Sequence, residues 1–387
     1  MANEDKSARY QRLRRRAAVA AVLVDLLLPV TLAASGLATG IGNAVSGPGT
    51  AGPLAVVCVV LLMCAVRTAL VLVVGVRTEL ASERRYRGHD SSTAAWIVER
   101  VVRAAGTAAA GGLAAIVVQR ASLLSPGWWW MWVSLLAGVV VLGAVQWLPR
   151  LLTPGAADVH PIAKRPELEE RLRALAARIG TARVEVLEWR RRPGATDAAA
   201  MLVGLGRTNR VLVAQAVLDS HTDEEVEVIV AHELAHHRHR DVWWSGVAVV
   251  ATLTLGFYAS DRLLEALPAA WGVTSAADLA GLLIVAMVCR AVFVAMTPAV
   301  NALSRAQERR ADRDALVWTN NAPALVRTLR RLSAAQMADD QPSQIAEAFF
   351  GRHPSVRDRI QAAEAWGARA DAIGEPRSAQ SPIANRR

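Results

Sequence analysis

Residues 231–241 read AHELAHHRHRD and hold four of the eight histidines of the chain. The residues before them set the geometry. Thr222 and Glu225 form a capping-box pattern, and an apolar-rich run follows, which predicts a helix. On that helix His232 and His236 are four residues apart and share a face. Glu233 sits next to the first of them. This H-E-x-x-H spacing lets two imidazoles grip one zinc ion while a carboxylate reaches water beside it. The competing reading is a solvated basic helix end that carries the pattern by chance. His237 and His239 fall on other faces and read as surface residues.

What surrounds the stretch is strongly apolar. The 387 residues are 53% hydrophobic, and the mean hydropathy is +0.26. That excess points to membrane segments. Six runs are long and apolar enough to span a bilayer: about 17–40, 53–77, 101–121, 128–150, 242–264 and 278–300. Many of the 12 tryptophans lie near the ends of such runs, where interfacial anchors belong. The net charge of +10 is almost wholly arginine, Lys6 and Lys164 being the only lysines. Arginines precede the first run, fill the loop after the second and follow the fourth and sixth. The other loops carry almost no charge. The positive-inside rule then puts both termini, the 78–100 loop and the block before residue 242 in the cytoplasm. A secretory signal ending at LAAS is the alternative for the first run; a retained anchor is preferred, since five spans follow. The arginines track the membrane pattern and come with no recognition motif, so no nucleic-acid partner is expected. Cys58, Cys64 and Cys289 lie in apolar runs and read as inert packing residues.

A catalytic zinc needs a third protein ligand and an open position. In NALSRAQERRADRDAL, residues 301–316, Glu308 and Asp312 are four apart on a predicted helix. Glu308 could ligate zinc, and Asp312 could hold a ligating imidazole by its other nitrogen. A salt-bridged helix is the alternative, since Arg305, Arg309, Arg310 and Arg313 surround both acids. Height favours the metal. His236 lies seven residues before Trp243, roughly 10 Å along a helix, and Glu308 eight residues past the sixth run, roughly 12 Å. Inside the apolar runs Asp25, Arg67 and Arg290 fall at similar depths. They read as a buried ion pair or as the lining of an aqueous chamber.

These stretches together resemble the membrane-embedded zinc metalloproteases that include the CAAX prenyl proteases and the HtpX heat-shock proteases. The matching pieces are GLGRTNRVLVAQAVLD, TDEEVEVIVAHELAHHRHRDV, SRAQERRADRDAL and HPSVRDRI, in the family's order, from about residue 165 to 365. Six spans are nearer the CAAX branch. The resemblance implies zinc ligands His232, His236 and Glu308, general base Glu233 and supporting acid Asp312. It also implies that His353 and Arg359 bind substrate and steady the developing oxyanion. By themselves His353 reads as a loop residue and Arg359 as a solvated helix charge. One departure stands out: Ala199 and Ala200 occupy the strand positions where the family carries Asn-Ala.

The expected fold is mainly α: a polytopic α-helical membrane protein with a cytoplasmic gluzincin-like α+β zinc metalloprotease domain. Four spans fill 1–152, with catalytic parts at 153–241 and 301–367, two further spans at 242–300 and a disordered tail from 368. In 153–241, RPELEERLRALAARIG reads as a helix, VEVLEW and RVLVAQAVL as strands, with AMLVGLG between them. Further helices are expected at 301–319 and 322–334. The expected activity is zinc-dependent hydrolysis of peptide bonds in membrane-associated proteins or peptides, at the cytoplasmic face of a bacterial plasma membrane. A catalytically weak scaffold or sensor that keeps the fold is the alternative. One zinc ion, the lipid bilayer and a peptide or membrane-protein substrate are the implied cofactor and partners.

Overall fold

A computed structural model describes residues 2–47, 51–80, 84, 92–152, 159–162, 165–180, 185–189, 200–203, 210–267, 273 and 275–372. The chain divides into two compact units, Met1–Val140 with Ala248–Thr297, and Val141–Val247 with Pro298–Arg387.

The first unit is helical. It contains α1 (Ala2–Ala34), α2 (Leu37–Ser46), α3 (Pro53–Gly75) and α4 (Thr93–Leu124). It also holds the first half of α5 (Trp129–Leu152), most of α9 (Asp241–Ala266) and the first part of α10 (Leu279–Thr319). Six helical stretches are long and apolar enough to cross a membrane: Lys6–Ala34, Pro53–Gly75, Thr93–Leu124, Trp129–Trp147, Asp241–Ala266 and Leu279–Thr319. The expected first run of 17–40 is broken. Gly36 takes φ 70°, a left-handed conformation that glycine adopts without a Cβ penalty, and α2 begins after it. Small residues let helices approach: a Cβ on Gly256 would stand 3.1 Å from the Cys289 sulfur. The intramembrane charges meet. Arg67 Nε donates to Asp25 Oδ1 at 2.5 Å, and Arg290 Nε lies 3.1 Å from Oδ2. Trp129 Nε1 donates to buried Asp261 at 2.7 Å, and fully buried Gln119 donates to the carbonyls of Ala51 and Ala277. Asp25, the Trp129 indole and the Gln119 amide nitrogen thus each find a partner inside the apolar bundle.

The second unit is built on a four-stranded sheet of order β1-β2-β4-β3. The strands are β1 (Val159–His160), β2 (Glu185–Trp189), β3 (Ala200–Val203) and β4 (Arg210–Ala214). β2 and β4 are parallel; β1 and β3 run antiparallel to their neighbours. In β4, Val211, Leu212 and Val213 are fully buried, as a strand covered on both faces requires. The unit also holds α6 (Pro166–Arg178), α7 (Gln215–Ser220) and α8 (Asp223–Arg238), which contact the sheet, and α11 (Ala322–Gln336), α12 (Gln344–Phe350) and α13 (Val356–Ala372). α8 contacts β3, β4, α6 and α11. Its Val226, Val230 and Leu234, at i, i+4 and i+8, are fully buried, each worth about 1.5–3 kcal/mol of hydrophobic stabilisation.

Several expectations are corrected. RVLVAQAVL is not one strand, since β4 ends at Ala214 and α7 begins at Gln215. The helix at 301–319 is not separate from the sixth span: α10 runs unbroken for 41 residues with Pro298 inside it. The helix holding H-E-x-x-H does not continue into the fifth span. α8 ends at Arg238, and Arg240 at φ 55° turns the chain before α9. The tail expected from 368 is helical as far as Ala372; residues 373–387 lie outside the described residues. β1 and α12 were not anticipated, two residues and seven being too few to leave a periodic signal.

Candidate metal centre

The expected capping box forms. Thr222 Oγ1 accepts from the Glu225 amide, and the Thr222 amide donates to the Glu225 carboxylate. Glu225, fully buried, also meets Arg327 Nε of α11 at 3.0 Å, which fixes the start of α8. Past its first turn α8 is largely buried, and towards its C-terminal end His232, Glu233, His236 and His237 are part-exposed. These four fall together because 232 and 236, and 233 and 237, are each four apart.

On α10, Glu308 and Asp312 are both buried. Ligand atoms of His232, His236 and Glu308 lie within 4.8 Å of one another. The two imidazole Nε2 atoms are 3.1 Å apart. Glu308 Oε2 stands 3.4 Å from His232 Nε2, and its Oε1 3.5 Å from His236 Nε2. The outer nitrogens face carboxylates. His236 Nδ1 donates to Asp241 Oδ2 at 2.8 Å. His232 Nδ1 is 3.0 Å from Asp312 Oδ1, close but off the line of a good hydrogen bond.

This donor set fits zinc. Carboxylates only accept, so the Nδ1 atoms carry the ring protons and leave both Nε2 lone pairs facing each other. Two lone pairs at that distance repel unless a proton or cation lies between them. Nitrogens bound at about 2.0–2.1 Å to a tetrahedral ion stand roughly 3.3 Å apart. Glu308 Oε2 is buried with no hydrogen-bond partner, as a ligand oxygen would be.

The protonation pattern follows from the same contacts. Burial works to lower His232, but Asp312 and Glu308 outweigh it and hold the imidazole at about 10. Burial also works to raise Glu308; His232, His236 and His353 outweigh that and hold it far below the usual carboxylate range. Asp312 is pulled down to about 2, His232 and Arg359 overcoming its burial. Glu233 moves the other way, raised chiefly by burial.

His353, in the loop before α13, has Nδ1 3.1 Å from Glu308 Oε1 and a side chain 65% exposed. Arg359 is not the solvated helix charge that its position alone suggested. Its Nε and Nη2 clamp both oxygens of Asp312 at 2.7 Å, and Nη2 lies 3.6 Å from Glu308. His239 pairs with Asp314 at 2.7 Å, away from the ligand cluster. Ala199 lies outside the described residues; Ala200 opens β3, an edge strand of the sheet.

Asp241 was missed by the sequence reading. Its carboxylate, 5% exposed, accepts from His236 and from Arg310 Nη2, while its carbonyl accepts from Gln307. It ties α8, α9 and α10 into one support behind the second histidine. On a continuous helix, five residues after His236, it would point elsewhere; the turn at Arg240 brings it back.

A sequence profile of peptidase family M48 matches residues 163–367. The chain is 28% identical over 220 residues to the uncharacterized metalloprotease YhfN of Bacillus subtilis (strain 168), covering 56% of this chain and 51% of that one. It is 32% identical over 172 residues to protease HtpX homolog 2 of Methanosarcina acetivorans, covering 39% and 56%. The chain spans about half the length of the curated relatives it matches. In fold it is similar to Ste24p of S. mikatae, with a TM-score of 0.72 at 17% identity over 93% of this chain and 88% of that one. With the matched segment covering more than half of its length and holding every residue of the centre, this multi-pass, mainly helical chain belongs to peptidase family M48.

Proposed function

We propose that the chain is a zinc-dependent endopeptidase that cleaves membrane-associated proteins or peptides at the cytoplasmic face of a plasma membrane. The observation that carries this is the facing pair of imidazole Nε2 atoms, 3.1 Å apart, beside the unpartnered Glu308 oxygen. His232, His236 and Glu308 would hold the ion. Zinc held there supplies Lewis acidity toward water and toward a peptide carbonyl.

The chain's own groups do the rest. Glu233, raised by burial, takes a proton from the attacking water and returns it to the leaving amine, so that water adds across the broken C–N bond. His353 uses Nδ1 on Glu308 and keeps Nε2 for the developing oxyanion. Arg359 commits two nitrogens to Asp312 and acts first as a positioning residue; its Nη1 remains for the oxyanion. Asp312 in turn holds the His232 ring. The open side of β3, next to α8, suits an extended substrate that adds as a further strand. Ala200 offers only backbone there, which suits recognition with little demand on substrate sequence. The cytoplasmic face follows from the arginine-rich loops.

The test is cleavage of a peptide by purified protein. It is expected to be abolished by a chelator and restored by zinc. Glu233→Gln is expected to keep stoichiometric zinc and to lose about 100-fold or more of the rate. A Glu233→Gln protein with full activity would sink the assignment. Comparing membrane-peptide profiles between cells making active protein and that variant would identify substrates.

A further inference from the structure

In the second unit, exposed large apolar side chains occur at two kinds of place. One is the stretches where α5, α9 and α10 enter or leave their apolar runs, with Trp147, Trp244 and Leu303 among them. The other is α12, whose Ile345, Phe349 and Phe350 are 74%, 38% and 43% exposed. Ile345 is more exposed than any other large apolar residue described in this unit. Ile345 and Phe349 are four apart and share a face. A helix of seven residues has little stability of its own, so its order derives from what it docks against.

Its anchorage is specific. Asn301 Nδ2 donates to the Ala348 carbonyl at 2.8 Å. Arg305 Nη1 donates to the carbonyls of Glu347 and Gly351 at 3.0 and 2.8 Å. Asn301 is the first residue after the apolar run that ends at Val300. These bonds therefore fix α12 at the level where the chain leaves the bilayer. The one acid of the helix, Glu347, faces Arg305 at 3.7 Å. Exposed Arg352 and Arg357 follow the helix and bring positive charge to its end, which suits anionic lipid headgroups.

We propose that α12 is an interfacial helix, lying in the bilayer surface with Ile345 and Phe349 among the acyl-chain ends and Arg352 at the headgroups. Continuity with the sixth span, at the same level and through direct hydrogen bonds, names the bilayer as its occupant. The proposal does not depend on the chemistry of the metal centre.

The test places a fluorophore on single cysteines I345C and F349C, with Cys58, Cys64 and Cys289 changed to Ala. The control is R330C, on an α11 side chain that is 65% exposed. The full chain is held in nanodiscs of phosphatidylcholine and phosphatidylglycerol. Labels at 345 and 349 are expected to emit at shorter wavelength than the control and to lose intensity to bromine placed near the top of the acyl chains. The control is expected to lose intensity only to aqueous iodide. Iodide quenching at 345 and 349 equal to the control overturns the proposal. Shielding from both quenchers overturns it too, since a protein partner or a second copy would then cover the face. Wild-type protein with a photoactivatable lipid gives a check free of substitutions: adducts are expected on residues 344–352, and adducts on α11 alone contradict the proposal.

Discussion

Asp241 and Asp312 each lie beside one of the two facing histidines, and they reach them by different routes. Asp312 sits on the same helix as Glu308, one turn on, and is itself clamped by Arg359. Asp241 arrives from the start of α9 and is held by Arg310 and Gln307. Carboxylates that orient ligating imidazoles are typically worth 10–100-fold in metal affinity. Asp241→Asn is therefore expected to weaken zinc binding by about that factor in a competition titration; unchanged affinity would separate Asp241 from the site. The protonation of His232 makes a second prediction. Asp312 and Glu308 raise its folded value to about 10, above the ordinary 6.5. Below that value a proton competes with a cation for Nε2. Apparent zinc affinity is thus expected to rise with pH from 6 to 9, with proton release on binding. The same titration run across that range, with flat affinity, would contradict the pairing.

The joint between α8 and α9 decides where Asp241 points. Arg240 carries it, with φ 55° in an exposed, non-glycine residue. Its amide donates to the His237 carbonyl, and its own carbonyl accepts from Trp243 and Trp244, so the backbone rather than the side chain makes the turn. Such a conformation costs about 1 kcal/mol for a residue with a Cβ, and more for a β-branched one. Arg240→Gly is expected to leave stability unchanged or to raise it by up to about 1 kcal/mol. Arg240→Val is expected to lower it by about 1–2 kcal/mol and to weaken zinc binding through Asp241. Thermal unfolding and zinc titration of both variants check this; equal behaviour of the two would remove strain at the joint as an explanation.

Among the described residues of the first unit, one cluster of charge in apolar surroundings draws its partners from distant segments. Asp25, 15% exposed, meets Arg67 and Arg290 from two other helices. Breaking a buried pair by deleting one partner costs about 3–5 kcal/mol, because the other charge is left uncompensated. Asp25 is the shared member. Asp25→Asn, which strands two guanidinium groups, is expected to lower the unfolding temperature more than Arg67→Gln, which leaves Asp25 still paired with Arg290. Thermal unfolding in one lipid or detergent gives the order, and the reverse order would contradict the shared role of Asp25. Among the described residues the catalytic-type cluster is confined to the second unit and this ionic cluster to the first.

Much of this protein was legible from local pattern. The six apolar runs fixed the membrane helices, since only a helix satisfies its backbone within one segment in lipid. The i, i+4 spacings of His232 with His236 and of Glu308 with Asp312 put each pair on one face of one helix, which any helix would do. What needed the tertiary structure lies where the chain departs from regular geometry or where partners are distant in sequence. The turn at Arg240 returns Asp241 to His236, and α10 continues through Pro298. Arg359 turns inward to clamp Asp312 instead of facing solvent, and seven residues of α12 are ordered by Asn301 and Arg305. Periodicity describes one element at a time. These features are set by contacts between elements, and a single positive φ is enough to redirect a side chain that periodicity would send elsewhere.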